Sequence, residues 1–232
     1  MWRSMFKVAA ATAAFGFVHS ALASRSAKRA AARTIGERNR NGLYRVFYIV
    51  QSAATFGLLA AYIRRQPSRE LYRVHGPLRV VLHAAQASAI VYATSAARQV
   101  GVGRITGLQS FARWLGDGRV PPEPEAQGPA LDAEGRRHAL GPFAWSRHPL
   151  NFAPLPILWL WPRMTTSLVA FNAAATIYLV IGTIHEEERL REAFGEKYET
   201  YLHSGVPFYV PASGRSAVKA RIGRKNPQGL PK

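Results

Sequence analysis

Cysteine is absent from the 232 residues, and acidic side chains are scarce, with 13 Asp and Glu against 31 Lys and Arg. Without cysteine there is no disulfide framework, no thiolate zinc site and no cysteine nucleophile. The scarcity of acids leaves a formal net charge of +18, which admits nucleic acid or the anionic face of a membrane as partner. Metal signatures are missing as well. Neither HExxH nor another established ligand spacing occurs, so no metal is expected. Mean hydropathy is −0.09, an average in which Arg-rich and Pro/Gly-rich stretches dilute long apolar runs. How the charges alternate with those runs decides the partner.

The first run, residues 8–23, is mostly Ala, Val and Phe, with His19 and Ser20 inside it. It reads either as a signal peptide, with Ala21-Leu22-Ala23 as the cleavage site, or as an uncleaved first transmembrane helix. The following segment favours the helix. It holds Arg25, Lys28, Arg29, Arg33, Arg38, Arg40 and Arg45 against Glu37 alone, and dense basic charge stays cytoplasmic. The Ala- and Arg-rich, acid-poor first 40 residues also keep an organellar presequence open.

Residues 43–63 and 78–97 form two further runs, each near the ~20 residues that cross roughly 30 Å of hydrocarbon. The second contains His83 and Gln86. Between 101 and 114, Ile105, Leu108, Phe111 and Trp114 alternate with Arg104 and Arg113, a pattern that can lie in the membrane interface. GDGRVPPEPEAQGP, with Asp117, Glu123 and Glu125, is a loop by composition. The fourth run, 150–162, carries Pro154 and Pro156 and is short, about 20 Å as a helix. It must borrow 143–145, thin the bilayer or be re-entrant. The fifth, 165–184, is long enough to cross, and Trp159, Trp161 and Pro162 mark the far interface.

The expected fold is therefore an all-α integral membrane bundle of about five transmembrane helices. Residues 1–100 supply the first three and 101–140 a cytosolic loop with an interfacial helix. Residues 141–211 form a hairpin of the last two helices followed by a short cytosolic helical segment, and 212–232 a basic disordered tail. With the N-terminus outside and the C-terminus in the cytosol, 23 basic residues lie inside and 8 outside. The 64–79 loop, with five Arg, is the exception. Charges that alternate with membrane spans form no patch on one folded domain, so the partner is the lipid bilayer and not nucleic acid.

Two polar clusters bracket the hairpin: Ser146, Arg147 and His148 before it, His185, Glu186, Glu187 and Glu188 after it. Between them lie 36 residues with one charge, Arg163, beside Pro162 at the midpoint. A turn there returns the chain to its starting side, so the clusters meet at one membrane face. Taken singly, each residue is a helix end at the headgroups; together they are a polar pocket of balanced charge, and ionisable groups at a membrane are a functional hypothesis by default. His19 and His83 are lone helix histidines that either pack or line that pocket.

SRHPLNFA and the downstream IHEEERLREAFGEKYETYLHSGVPFYVP resemble the isoprenylcysteine carboxyl methyltransferase superfamily, which pairs RHPxY with an EE…L…FG..Y..Y segment. FVHSALASRSAK, LYRVFY and RMT look most like its NnrU and methanethiol S-methyltransferase-like branch. The likeness is dense over 141–211 and thinner over 15–63. It implies a membrane enzyme, in a bacterial-type inner membrane, that binds S-adenosylmethionine through Arg147, His148, Pro149, Asn151, Glu186, Glu187 and Tyr198. Arg147 suits the cofactor carboxylate; Glu186 or Glu187 can accept from its ammonium and ribose. His148 and Glu187 are the candidate catalytic groups, able to take a proton from a small thiol or lipid-soluble nucleophile. Asn151 replaces the family tyrosine and Ala153 a glycine. Those departures favour a second reading, a non-catalytic NnrU-type protein with an accessory role in nitrogen-oxide or respiratory metabolism. A third is a membrane anchor whose Arg-rich loops bind anionic lipid or a partner.

Overall fold

The computed structural model describes residues 1–116, 119–122, 128–129, 131 and 140–212. Four helices are long and apolar enough to cross a membrane: α1 (Trp2–Ala23), α3 (Glu37–Arg65), α4 (Gly76–Val100) and α10 (Thr166–Phe194). Only 11% to 22% of their apolar windows are buried within the molecule, so the remaining apolar surface is left for lipid. The protein is an all-α membrane bundle. Basic α2 (Arg25–Ile35) follows α1 at a sharp joint where the Ser24 side chain accepts from the Ala27 amide at 3.2 Å. Sequence patterning does not single α2 out as a helix, because its apolar face is short and made mostly of alanine.

Small residues bring the helices close. On α1, Gly16 lies under the Tyr178 ring of α10, and an added Cβ would come within 2.7 Å of it. On α3, a Cβ at Gly42 would sit 2.4 Å from the Trp114 Cβ, so glycine is what lets the 101–114 segment dock there. That segment forms α5 (Val102–Thr106) and α6 (Leu108–Leu115). Trp114 Nε1 donates to Asn39 (2.9 Å), and Arg38 donates back to the Trp114 carbonyl (2.9 Å). The acids of the expected loop, Asp117, Glu123 and Glu125, and the basic tail from 213 onward lie outside the described residues.

The short fourth run does not form one helix. It breaks into α7 (Pro142–Trp145), α8 (Pro149–Phe152) and α9 (Pro154–Trp159). Prolines at each start remove amide donors and leave carbonyls to be satisfied by neighbours. Those neighbours are present. Gln86 of α4 donates to the Ile157 carbonyl (2.8 Å) and Asn172 of α10 to the Leu158 carbonyl (2.8 Å). Tyr92 of α4 donates to the Pro142 carbonyl (3.1 Å). The broken arm is thus held between α4 and α10.

At the hairpin turn β2 (Arg163–Thr165) pairs antiparallel with β1 (Glu70–Arg73) from the α3–α4 connection. This ribbon was not foreseen, since four exposed residues with no alternation give no strand signal. Glu70 accepts from Arg73 (2.6 Å) and Arg163 (2.7 Å), and these partners, Arg73 first, lower its pKa to about 2. The carboxylate answers two of the cations on the Arg-rich side of the bundle. Beyond the hairpin, α11 (Glu196–Leu202) follows Gly195, whose φ of 55° ends α10.

Gly42→Ala is expected to force α6 off α3 and cost about 1–3 kcal/mol, read as a lower melting temperature in detergent. Gly57→Ala, where an added Cβ meets nothing within 4 Å, should leave melting unchanged.

Candidate functional site

The site begins where α10 outlasts its apolar stretch. Thr165 caps the helix, accepting from the Leu168 amide, and the helix then runs without a break through Ile184 into His185–Glu188 and on to Phe194. On the facing side the chain turns between α7 and α8 at residues 146–148. His148 precedes a proline, which keeps its backbone out of the helical region, at φ −125° and ψ 59°. Ser146, fully buried, accepts from the His148 amide (3.1 Å) and donates to the Tyr209 carbonyl (2.7 Å).

Arg147 Nη2 donates to both Glu187 oxygens, at 3.0 and 3.4 Å, and its Nη1 donates to the Val206 carbonyl at 3.2 Å. Phe208 lies with its ring centroid 5.5 Å from the guanidinium. His148 Nε2 is 3.1 Å from Glu187 and its Nδ1 is 3.3 Å from Glu186. Asn151 donates to Glu186 at 2.6 Å. The two clusters therefore meet as one network of two cations and two carboxylates. Residues 206–212 strap it down: the Arg147 amide donates to Pro207 and the Ala212 amide to Trp145.

Because both nitrogens of His148 face carboxylates, the charged ring can donate twice where the neutral ring can donate only once. Burial opposes that charge most strongly. The bonds and attraction from Glu186 and Glu187 outweigh it, and the His148 pKa lies above its ordinary 6.5.

Of the other expected residues, Pro149 is buried at the start of α8, and Tyr198 is buried on α11 beside Leu190 and Tyr201. Burial pushes the Tyr198 phenol up. Its hydroxyl and the Arg147 Nε are buried with no hydrogen-bond partner among the described residues. Glu186 and Asn151 also line an open cavity of about 390 Å³ between α1, α3, α8 and α10, within the ~300–1,000 Å³ range of small-molecule sites. His148 and Arg147 border instead a void of about 10 Å³. His185 joins the large cavity's wall and Glu188 is exposed. Among the described residues no group of three His, Cys, Asp or Glu could hold a metal ion.

The cavity recruits residues that sequence reading did not bring to the site. Arg40, Tyr44, Arg45 and Tyr48 come from α3 and Tyr178 and Gly182 from α10; His19 of α1, for which the sequence left packing or pocket lining open, lines it too. His83 bonds to Gln86 on its own helix and does not line the cavity. A polar residue in an apolar run is the one local signal for this wall, and it flags His19 and His83 alike.

No protein-family profile matches the chain, and no solved structure matches it. It is similar to three bacterial methyltransferases over part of its length. Identity is 40% over 70 residues with methanethiol S-methyltransferase of Pseudomonas deceptionensis, covering 30% of this chain and 26% of that protein. With methanethiol S-methyltransferase 1 of Bradyrhizobium diazoefficiens it is 34% over 59 residues, covering 25% and 21%. With methanethiol S-methyltransferase of a Pseudomonas sp. strain it is 31% over 103 residues, covering 44% and 34%. The chain thus matches about a third or less of each relative's length. The likeness is to methyltransferases of this type and does not single out a branch.

Two outcomes follow from the network. Arg147→Met should cost on the order of 2–3 kcal/mol in chemical unfolding, because Glu187 stays buried with a charged partner removed. The His148 contribution to stability is fully present below its ordinary pKa of 6.5 and is lost as pH rises through the raised value. Melting temperature should therefore fall on alkaline titration more steeply in the parent than in His148→Gln.

Proposed function

We propose that this protein is an integral membrane methyltransferase that uses S-adenosylmethionine to methylate a small thiol. The observation that supports it most is the convergence of Arg147, His148 and Glu187 with Glu186, the member of the network that lines the 390 Å³ cavity. The partial likeness to methanethiol S-methyltransferases points the same way.

The residues present fit such a cofactor. The fit rests on the mixed donors and acceptors of the cavity wall. Arg40 and Arg189 on the cavity wall suit a carboxylate, Glu186 an ammonium, and Tyr44, Tyr48 and Tyr178 a flat ring. When bound, the cofactor supplies an electrophilic methyl on a sulfonium. The chain's own part is to orient the two reactants in line and exclude water. Glu187, held by Arg147 and His148, fixes the acidic rim; Glu186, held by Asn151, faces the cavity. Leu22, Leu150 and Leu179 supply an apolar lining suited to an alkyl thiol. With the positive-inside bias, the site faces the cytosol of a bacterial-type inner membrane.

One observation favours the second reading, a non-catalytic membrane protein of accessory role. Arg147 and Glu187 satisfy each other without a ligand, and Asn151 donates to the Glu186 carboxylate. Calorimetric titration of the detergent-purified protein with S-adenosylmethionine separates the two. Saturable binding, lost in Glu186→Ala, together with methylation of methanethiol to dimethyl sulfide, is the expected result. No binding at millimolar cofactor by a folded protein overturns the enzyme reading.

Gly182 sits on the cavity wall with open space where a Cβ would be. Gly182→Leu should fill that space and weaken ligand binding by about tenfold or more without lowering the melting temperature.

A further inference from the structure

At the inner wall of the cavity, polar side chains from three helices bond to one another. His19 of α1 places Nε2 2.5 Å from the Tyr48 hydroxyl and Nδ1 3.0 Å from the Ser52 hydroxyl, both on α3. Tyr178 of α10 turns its ring edge to His19, centroids 6.2 Å apart, and bonds through its hydroxyl to Ser20. Two tautomers of His19 satisfy these contacts, and in one of them Nδ1–H donates to the Ser52 oxygen. That leaves Nε2 with its lone pair toward Tyr48, whose hydroxyl donates to it. The Tyr48 oxygen keeps lone pairs of its own, and Tyr48 lines the same cavity as Asn151 and Glu186.

We propose that Tyr48 is the catalytic group that takes the proton of the thiol acceptor, with His19 behind it as the residue that receives Tyr48's own proton. This rests on the methyltransferase reading above. A neutral thiol is a poor nucleophile, and its reactive form is the thiolate. As the thiol sulfur forms its bond to the methyl carbon, its S–H bond breaks and the electron pair stays on sulfur. The proton passes to the Tyr48 oxygen while the Tyr48 proton passes to His19 Nε2. The donor's S–CH3 pair returns to the donor sulfur, which loses its positive charge, and one positive charge reappears on His19. Net charge in the site is unchanged, so no uncompensated ion is created at low dielectric. His148 does not serve this role in the structure as it stands: both of its nitrogens already face carboxylates.

The competing role for His19 and Tyr48 is to tie α1 to α3. The test compares two acceptors, a weakly acidic alkanethiol and an electron-poor aromatic thiol already ionised at the assay pH. Tyr48→Phe keeps the ring, and His19→Gln alters the other end of the bond, so either one carries the comparison if the other melts early. On the alkanethiol, kcat should fall by about 10²–10⁴-fold with KM and calorimetric cofactor affinity unchanged. On the ionised thiol the loss should be at least about tenfold smaller, because no proton has to leave. Equal losses on both thiols with cofactor binding intact, or no loss on either, overturn the relay. A parent protein that binds no cofactor removes the methyltransferase reading itself, and the relay with it.

Discussion

Two carboxylates on α10 are neutralised by two cations on the turn before α8, and most of the architecture at that end of the bundle depends on this encounter. Glu187 is 6% exposed and His148 3% exposed, so neither charge has water to fall back on. Buried ions are tolerated when they are paired and hydrogen-bonded, and here several elements supply the partners. The α7–α8 turn brings Arg147 and His148, α8 brings Asn151, and the strap after α11 covers the guanidinium with Phe208 and the Val206 carbonyl. The Ser146–Tyr209 and Tyr209–Asn151 bonds close that strap over the network.

The same logic explains the irregular fourth run. Its prolines prevent a continuous helix, and its carbonyls need donors that lipid cannot offer. Gln86 and Asn172, buried polar residues on α4 and α10, provide them. The arm is short because it lies against protein on two sides. At the opposite end the small ribbon joins the α3–α4 connection to the hairpin turn through Glu70. The hairpin is therefore anchored at both ends, by charge pairs of very different burial.

Between the network and the N-terminal helices lies the cavity. Its acidic rim comes from the hairpin, whereas its basic and aromatic residues come from α1, α2 and α3 together with Tyr178 and Arg189 of α10. A pocket assembled from both halves of the chain has the mixed character that recognition of a zwitterionic cofactor and an apolar thiol requires: paired charges at one side, aliphatic and aromatic surface at the other.

Hydropathy and residue spacing alone determined the long helices, the reversal near Pro162 and the pairing of the 146–148 and 185–188 clusters. These are one-dimensional properties: a run must be about 20 residues to cross a membrane, and a hairpin must bring its ends together. The meeting of Arg147 and His148 with the 186–188 acids was legible because the hairpin returns one cluster to the other, whereas the choice of Glu187 for Arg147 came from the tertiary structure. Tertiary structure decided the rest. That His19 faces Tyr48 while His83 turns to Gln86 depends on how α1 and α4 are rotated. Rotation is set by close contacts such as Gly16 beneath Tyr178 and Gly42 beneath Trp114, between residues far apart in the chain. The break of the fourth run and the β1–β2 ribbon likewise rest on donors and partners from distant segments, which no local pattern encodes.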